Sequence, residues 1–471
     1  MDEFLNGATI ADIRSMLSSR ELSVVELVEW TLARLDSVEP MLHAFVTVDR
    51  AYTLDQAAIA DNRIHQDGVG AWDRAPLLGV AISVKDLVPT AGLRTTRGSL
   101  ESRDWTPRAD AIAVARLRAA GAVILGKTVT SECGWSAGTS NQLTPATSNP
   151  WNINYSSGGS SGGAAASIAV GVGTAAIGTD GAGSIRVPAA FCGIVGLKPT
   201  FGRVPYEPLS PERLSHMGPL ARTVADAATL MEVMSGPDPA DPYSLSVPPC
   251  SPPPIGQLRI GWVDPPGPYH AESDVQRACV SALRVLEEQG HIVDSIGTPF
   301  PDLYDELTVL LAAEAGSQPS ASDPTTDLER LAVVNYGRTL SGTEVLSAER
   351  TRARLTQSMA RLMERWDILA MPTVPIEPFP VNSCRPDHQD SHVDPMEWLH
   401  WCSATYPFNL TGQPAISIPV GLSPRGFPVG LQLVARWNEE PLLVSVAETI
   451  EQTLPHYRAL IKNEMSKLCR L

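Results

Sequence analysis

A tract of 47 residues without any ionisable Asp, Glu, Lys, Arg or His interrupts this chain of 471 residues. It runs from Cys133 to Thr179, although 19% of the whole chain is charged. Its second half contains the run GGSSGG (158–163), and charge returns in a second Gly/Ser turn, DGAGSIR (180–186). Because charged groups are costly to bury, the tract is predicted to be a buried turn, helix and strand. Two serines, Ser160 and Ser184, then lie at its turns as candidate nucleophiles.

Two other interpretations of the uncharged tract fit less well. Residues 158–178 are long enough to cross a bilayer as a helix, but they are rich in Gly, Ser and Ala and lack Leu and Phe. Transfer of such a segment into lipid would be poor. A flexible Gly/Ser linker would not lead directly into an apolar segment such as AAASIAV (164–170).

Composition indicates a soluble globular protein, since 43% of the residues are hydrophobic. A net charge of −16 would repel a phosphate backbone, which excludes nucleic acid as an expected partner. The seven cysteines are scattered and contain no C-x-x-C pair, so neither a disulfide framework nor a zinc site is indicated. Residues 1–6 lack the basic and apolar regions of a secretory signal. We expect a cytoplasmic protein with no membrane partner.

Strand and helix patterns alternate along the chain. A capping box at Ser23 and Glu26 predicts a helix over 24–35. Strands are predicted at 78–84, 122–126, 175–180, 259–263, 367–372, 414–420 and 428–434, and further helices at 111–120, 162–170, 223–234, 273–289, 342–366 and 440–453. This alternation favours an α/β fold with a buried sheet. Residues 237–254 hold eight prolines, and composition alone leaves open whether they are an interdomain linker or an excursion of one domain.

The run GGSSG (158–162) formally matches the G-x-S-x-G nucleophile elbow, which would make Ser160 the nucleophile and would need a later Asp and His. An elbow follows a buried apolar strand, whereas residues 151–157 are polar and are predicted to form a turn. His456 is the only histidine near the end of the chain, and it lies in an ordinary helical pattern. A dinucleotide-binding loop lacks its preceding strand and its acidic residue. Neither interpretation is adopted.

The serine segments instead resemble the amidase signature family. Residues 158–166, 178–188 and 191–200 follow that family's long serine/glycine signature. Upstream, the segment VKD (84–86) is similar to the family's lysine-bearing strand end, 75 residues before Ser160, and Ser184 follows 24 residues later, as in the family. Segments 407–412 and 426–432 resemble the family's closing strands, so the likeness covers roughly residues 10–455.

The resemblance implies an α/β fold with a large central mixed β-sheet covered by helices on both faces. It also implies one domain over residues 1–471. Within it we expect an N-terminal helical segment at about 8–60, a catalytic core at about 75–235, a proline-rich excursion at 237–254, and the rest of the same domain at 255–455.

The resemblance further implies a Ser-Ser-Lys mechanism. A serine hydroxyl is a poor nucleophile until a base removes its proton, and Lys85 can be that base only when it is neutral, which burial favours. Ser160, in a cis peptide bond after Gly159, would relay the proton from Ser184, which attacks the carbonyl and forms an acyl-enzyme. The expected substrate is a small molecule with a linear amide, anilide, hydrazide or carbamate bond. Water is the second substrate, and no metal or other cofactor is expected.

The turn around Ser184 is expected to form the oxyanion hole. In the family its donors are backbone N–H groups, which here belong to Gly181, Ala182, Gly183 and Ser184. Further residues are expected to support this turn: Asp180 and Arg186 as scaffold charges, and Ser161 and Thr179 as hydrogen-bonding partners of the catalytic loops. For Lys85 to be neutral, the Asp180 carboxylate must point away from it.

Three other features carry weaker expectations. Gly134 and Trp135 are expected to lie near the acyl or leaving group by their position in the family. The aromatic run Trp398, Trp401, Tyr406 and Phe408 suits either core packing or a pocket wall. The segment DHQDSHVD (387–394) has residue types that ligate zinc or manganese, but the mechanism needs no Lewis acid, so a surface loop is favoured.

A second function stays open beside the amidohydrolase. The same core occurs in the glutamine-hydrolysing subunit of the tRNA-dependent amidotransferase, which works in a multi-subunit assembly. That function predicts an acidic residue seven positions before Asn409 to hold the ammonium group of glutamine, but Cys402 stands there. The characteristic Gly/Tyr-rich helix start is not evident at 337–342 either. A homodimer is one of the assemblies that the sequence allows.

Overall fold

The computed structural model describes residues 7–247, 256–265, 267–318, 326–383, 385 and 394–454. Its strands are β1 (Phe45–Thr47), β2 (Ala81–Lys85), β3 (Val123–Thr128), β4 (Ser148–Asn149), β5 (Asn152–Ser156), β6 (Ala175–Asp180), β7 (Val195–Lys198), β8 (His216–Ala221), β9 (Arg259–Val263), β10 (Ile292–Gly297), β11 (Ile368–Pro372), β12 (Ala415–Leu422) and β13 (Pro428–Val434). Its helices are α1 (Ile10–Ser19), α2 (Val24–Leu42), α3 (Arg50–Asp67), α4 (Ala71–Arg74), α5 (Ile112–Ala119), α6 (Gly162–Ala169), α7 (Arg186–Cys192), α8 (Val224–Met234), α9 (Ser273–Glu288), α10 (Tyr304–Ser317), α11 (Leu328–Thr339), α12 (Gly342–Leu362), α13 (Trp398–Trp401), α14 (Pro407–Leu410) and α15 (Glu440–Thr453).

Eleven of these strands form one mixed sheet, in the order β1-β3-β2-β6-β8-β7-β12-β13-β11-β9-β10. β2 lies between β3 and β6 and is parallel to both, whereas β6 is antiparallel to β8. At the other end, β11 is parallel to β9 and antiparallel to β13. Strands from before and after the proline-rich segment therefore share the sheet. The predicted α/β fold with a mixed sheet is confirmed, and the single-domain organisation stays a prediction.

Helices cover both faces of the sheet because successive strand residues point to opposite sides. In β11, Ile368 and Ala370 belong to an apolar cluster with residues of α5, α8, α9 and α15. Leu369 and Met371 belong to a second cluster with residues of α7, α10, α12 and α14. The uncharged tract lies inside this core, since every residue of α6 is buried.

Several sequence predictions need correction. The helix predicted at 342–366 ends at Leu362, and the strand predicted at 78–84 spans Ala81–Lys85. The helix that begins at the Ser23 capping box continues to Leu42 rather than ending at residue 35, because Val38 and Leu42 extend its buried stripe. Residues 151–157 were expected to form a turn, but 152–156 form β5. This strand is held by pairing with β4 and by a hydrogen bond from Ser156 N–H to Phe379 O at 2.7 Å. Its strand conformation therefore depends on partners that an apolar pattern does not reveal.

The predicted metal-like segment lies, apart from Asp394, outside the described residues, as do residues 248–254 of the proline-rich segment. Among the residues that the structure does describe, there is no group of three or more His, Cys, Asp or Glu side chains placed to hold a metal ion. No helix in the same part of the chain is both long enough and apolar enough to cross a membrane.

A buried carboxylate attaches α15 to the segment that follows β7. Glu440, at the start of α15, is fully buried. It accepts a hydrogen bond from Thr200 N–H at 2.7 Å, and it lies 3.3 Å from the Arg203 guanidinium. Replacing Glu440 would leave a buried arginine and a buried backbone N–H without this partner.

We predict that Glu440→Ala lowers the free energy of unfolding by about 3 kcal/mol or more, the usual effect of removing one partner of a buried ion pair. Equilibrium urea unfolding measures it. Glu439→Ala is the matched control, since its ion pair with Arg436 is about a third exposed on both sides and should change stability by less than about 1 kcal/mol. Equal losses in the two variants would contradict the assigned role of Glu440.

Candidate active site

The amino group of Lys85 lies at the buried end of β2. Its Nζ donates hydrogen bonds to Ser160 Oγ at 2.7 Å and to Thr179 Oγ1 at 2.9 Å. Burial lowers the pKa of Lys85 to about 7, although the negative charge of Asp180 opposes this shift. Lys85 is fully buried and forms no ion pair with any described residue. The residue therefore has the properties of a base that can be neutral near pH 7.

Ser160 is presented to Lys85 by a backbone that only glycine permits. The peptide bond between Gly159 and Ser160 is cis, as the family resemblance implies. A Cβ atom at position 159 would lie 2.0 Å from Gly138 O, so no other residue fits there. In the next residue, Ser161 N–H donates to Ser184 O at 3.2 Å, and Ser161 Oγ donates to Thr179 O at 3.2 Å. Ser161 thereby joins the two serine turns.

The Asp180 carboxylate is engaged by other groups than Lys85. Arg186 donates to both of its oxygens, each at 2.9 Å, and Asn409 Nδ2 donates to Oδ1 at 2.8 Å. Burial alone would raise the pKa of Asp180, but the Arg186 charge and these hydrogen bonds hold it well below its usual range. The carboxylate thus stays ionised, and Arg186 balances its charge within a fully buried pair.

The Ser184 turn differs in one respect from the expected oxyanion hole. Gly183 N–H donates to Asp180 Oδ1 at 2.8 Å, so this group is already engaged and the expectation for Gly183 needs correction. Within the described part of the chain, the N–H groups of Gly181, Ala182 and Ser184 have no hydrogen-bond acceptor. Three of the four expected donors are therefore free to face a ligand.

Three residues that support this turn were not identified from the sequence. Thr405 Oγ1 donates to Ala182 O at 2.7 Å and so fixes the orientation of the peptide that follows. Asn409 Nδ2 also donates to the backbone oxygen of Asp180 at 2.8 Å. Gln432 accepts from Arg186 Nη1 at 2.7 Å. All three are buried polar residues. Asn409 and Gln432 lie in the segments 407–412 and 426–432, whose family likeness was noted without a role, and Thr405 lies just before the first of them.

Most of the predicted site residues line one cleft with a volume of about 450 Å³. They are Gly134, Trp135, Ser160, Thr179, Gly181, Ala182 and Ser184. No hydrogen bond joins Ser160 Oγ to Ser184 Oγ among the described residues, and catalytic hydrogen bonds are often long before substrate binds. Of the aromatic run, Trp398 lines the cleft, whereas Trp401, Tyr406 and Phe408 are buried in the core.

A buried lysine paired with a serine, at a cleft that also exposes a second serine, defines a site for acyl-transfer chemistry. The Amidase family model matches residues 26–444. The chain belongs to the amidase signature family, whose enzymes hydrolyse C–N bonds, and it is therefore an amide-cleaving enzyme.

Relatives within the family carry different names. The chain is 37% identical to a Glutamyl-tRNA(Gln) amidotransferase subunit of Roseiflexus castenholzii, over 94% of this chain and 95% of that protein. It is 33% identical to the Acylamidase of Rhodococcus erythropolis, over 96% and 97% of the two chains. Among solved structures, it is similar to 6-aminohexanoate cyclic dimer hydrolase, with a TM-score of 0.87 and 29% identity over 96% of this chain and 97% of that one.

The hydroxyl of Thr405 provides a test of how the Ser184 turn is held. We predict that Thr405→Val lowers kcat for amide hydrolysis about tenfold while reducing the free energy of unfolding by about 1–2 kcal/mol, the effect of one buried hydrogen bond. Anilide hydrolysis and urea unfolding measure the two quantities. Thr411→Val is the matched control, because its buried hydroxyl donates to Gln413 and not to the turn. If both variants lose kcat equally, Thr405 has no specific role.

Proposed function

We propose that this enzyme is an amidohydrolase in which Ser184 is the nucleophile, Ser160 the proton relay and Lys85 the base. The observation that carries the proposal is the 2.7 Å hydrogen bond between Lys85 Nζ and Ser160 Oγ at a fully buried lysine. Ser160 and Ser184 line the same cleft, so substrate in the cleft can meet both hydroxyls. The substrate carries a linear amide, anilide, hydrazide or carbamate bond.

In the first half-reaction, neutral Lys85 takes the Ser160 proton while Ser160 takes the proton of Ser184. Ser184 Oγ attacks the carbonyl carbon and forms a tetrahedral oxyanion. As this species collapses, the C–N bond breaks and the leaving nitrogen receives the proton back through Ser160. The amine departs, and the acyl group remains as an ester on Ser184.

Water completes the reaction by the same route. It attacks the ester carbonyl and passes a proton through Ser160 to Lys85, and the second tetrahedral oxyanion releases the carboxylic acid as Ser184 recovers its proton. We assign stabilisation of both oxyanions to the N–H groups of Gly181, Ala182 and Ser184, because Gly183 N–H is held by Asp180. A single donor of this kind lowers the activation free energy by an amount on the order of 3 kcal/mol.

The second candidate function is glutamine hydrolysis in an amidotransferase assembly, which the 37% identity to a protein of that name favours. Against it, position 402 is a buried cysteine and has no charge to offer the ammonium group of glutamine. The Acylamidase relative and the cyclic dimer hydrolase structure carry the names of amide-hydrolysing enzymes, which supports hydrolysis as the function of this chain. We therefore place the free-standing amidohydrolase first.

We predict that Ser184→Ala and Lys85→Ala each lower kcat by about a thousandfold or more, the scale seen when groups of a catalytic triad are removed. The measurement uses a panel of p-nitroacetanilide, benzamide, a carbamate, a hydrazide and free glutamine. Ser167→Ala is the matched control, because this serine lies in the same uncharged tract but its hydroxyl donates to Ala164 O within α6. Full activity in Ser184→Ala would refute the mechanism, and preference of the wild type for glutamine would favour the second candidate.

The pH dependence of the rate tests the role of Lys85. Below its pKa of about 7, Lys85 is increasingly protonated and cannot accept a proton. We therefore expect log(kcat/KM) to fall by about one unit for each pH unit below 7 and to level off above it. The residual activity of Lys85→Ala should lack this limb. A wild-type rate that is constant from pH 5 to pH 9 would contradict the assignment.

A further inference from the structure

A second cationic residue lines the cleft and has no role in the proposed mechanism. Arg97 lies in the cleft wall together with Ser160 and Ser184. Its guanidinium makes no hydrogen bond or ion pair with any residue that the structure describes. Arg330, in the same wall, differs, because it pairs with Glu132 at 3.4 Å and donates to Gln318 at 3.0 Å. Arg97 therefore brings a positive charge to the cleft that no carboxylate within ion-pair distance neutralises among the described residues.

The backbone of Arg97 is fixed relative to the catalytic residues. Its φ of +57° lies in the left-handed region, which is uncommon for a residue with a side chain. Arg97 N–H donates to Asp86 O at 3.1 Å, and Arg97 O accepts from Cys133 N–H at 2.7 Å. Asp86 follows Lys85, and Cys133 precedes Gly134. These contacts place the backbone of Arg97 between the segment that follows the lysine strand and the expected substrate wall.

The charge of Arg97 acts on other groups that line the cleft. Burial raises the pKa of Cys133, Tyr206 and Glu314, and the positive charge of Arg97 partly offsets the shift at each. All three residues line the cleft. The charge of Arg97 is therefore close enough to the cleft to act on groups in its lining.

Of the carboxylates that line the cleft, Glu212 and Glu314 accept hydrogen bonds from neutral donors. Glu212 accepts from the hydroxyls of Ser210 and Ser215. Glu314 accepts from Gln318 Nε2 at 2.6 Å. Neither forms an ion pair with Arg97, so the guanidinium is left with donors that a ligand can use.

We propose that Arg97 binds a carboxylate of the substrate, so that the preferred substrates are linear amides bearing a carboxylate on the acyl or the leaving-group side. A guanidinium presents paired N–H groups that match a carboxylate in geometry and charge. This assignment rests on the proposed function of the cleft and names the substrate class that the cleft selects.

Two matched substrate pairs test it, each differing in one group. On the acyl side, succinyl p-nitroanilide is compared with the 4-oxopentanoyl analogue, in which a methyl ketone replaces the carboxylate. On the leaving-group side, N-acetyl-4-aminobenzoate is compared with N-acetyl-4-aminoacetophenone. The kcat/KM ratio within each pair is measured for the wild type, for Arg97→Gln and for Arg103→Gln, whose side chain is 64% exposed and outside the cleft lining.

We expect the wild type to prefer the carboxylate member of at least one pair. Arg97→Gln should lower that ratio by about ten- to hundredfold, mainly through KM, as for lost hydrogen bonds to a charged group. Arg103→Gln should retain it. A wild-type preference for the neutral member of both pairs, or an unchanged ratio in Arg97→Gln, would overturn the proposal while leaving the amidohydrolase mechanism intact.

A binding measurement keeps the proposal independent of turnover. The probe is N-acetyl-4-aminobenzoate or succinyl p-nitroanilide, titrated calorimetrically into Ser184→Ala. Binding should weaken by a similar factor in the Ser184→Ala/Arg97→Gln double variant. Equal affinity in the two proteins, or no binding of either probe to Ser184→Ala, would overturn the proposal. Absence of hydrolysis of every amide by the wild type would instead refute the proposed function.

Discussion

The burial of one lysine without a countercharge is the constraint on which the rest of the site depends. Lys85 ends a central strand of the sheet, and its amino group contacts the Ser160 hydroxyl and the Thr179 side chain rather than a carboxylate. Desolvation penalises the ammonium form and moves its pKa towards neutrality. The uncharged tract suits the proposed role of Lys85 as a base, because a buried carboxylate paired with Lys85 would keep it protonated.

Asp180 opposes the lowered pKa of Lys85. It follows the uncharged tract directly, and its negative charge raises the pKa of Lys85. The Asp180 carboxylate is bound by Arg186 and Asn409 rather than by Lys85. Gln432 in turn accepts a hydrogen bond from Arg186. The same carboxylate binds the N–H groups of Gly183 and Ile185 and thereby shapes the turn that presents Ser184. One ion pair thus balances a buried charge and also orders the turn that carries Ser184.

The elements that could be predicted are those whose residue pattern lies within the element itself. Strands such as β6 and helices such as α15 carry their own apolar pattern, and the two Gly/Ser turns carry a signature that extends over many residues. The sequence did not predict contacts that join distant segments. Thr405 and Asn409 contact the Ser184 turn from more than 200 residues away in sequence. Gly183 N–H was expected in the oxyanion hole, and its hydrogen bond to Asp180 was not foreseen because that bond depends on side-chain geometry. β5 was missed for the same reason, since its partners define it.

The central claim, that neutral Lys85 activates Ser184 through Ser160, is tested most directly by locating the covalent adduct. The protein is treated with an arylsulfonyl fluoride over a range of pH, and the modified residue and its labelling rate are determined by peptide mass spectrometry. We predict a single adduct on Ser184, with a labelling rate that rises through pH 7 and is largely lost in Lys85→Ala. An adduct on Ser160 or elsewhere, or labelling of Ser184 that persists in Lys85→Ala at the wild-type rate, would contradict it.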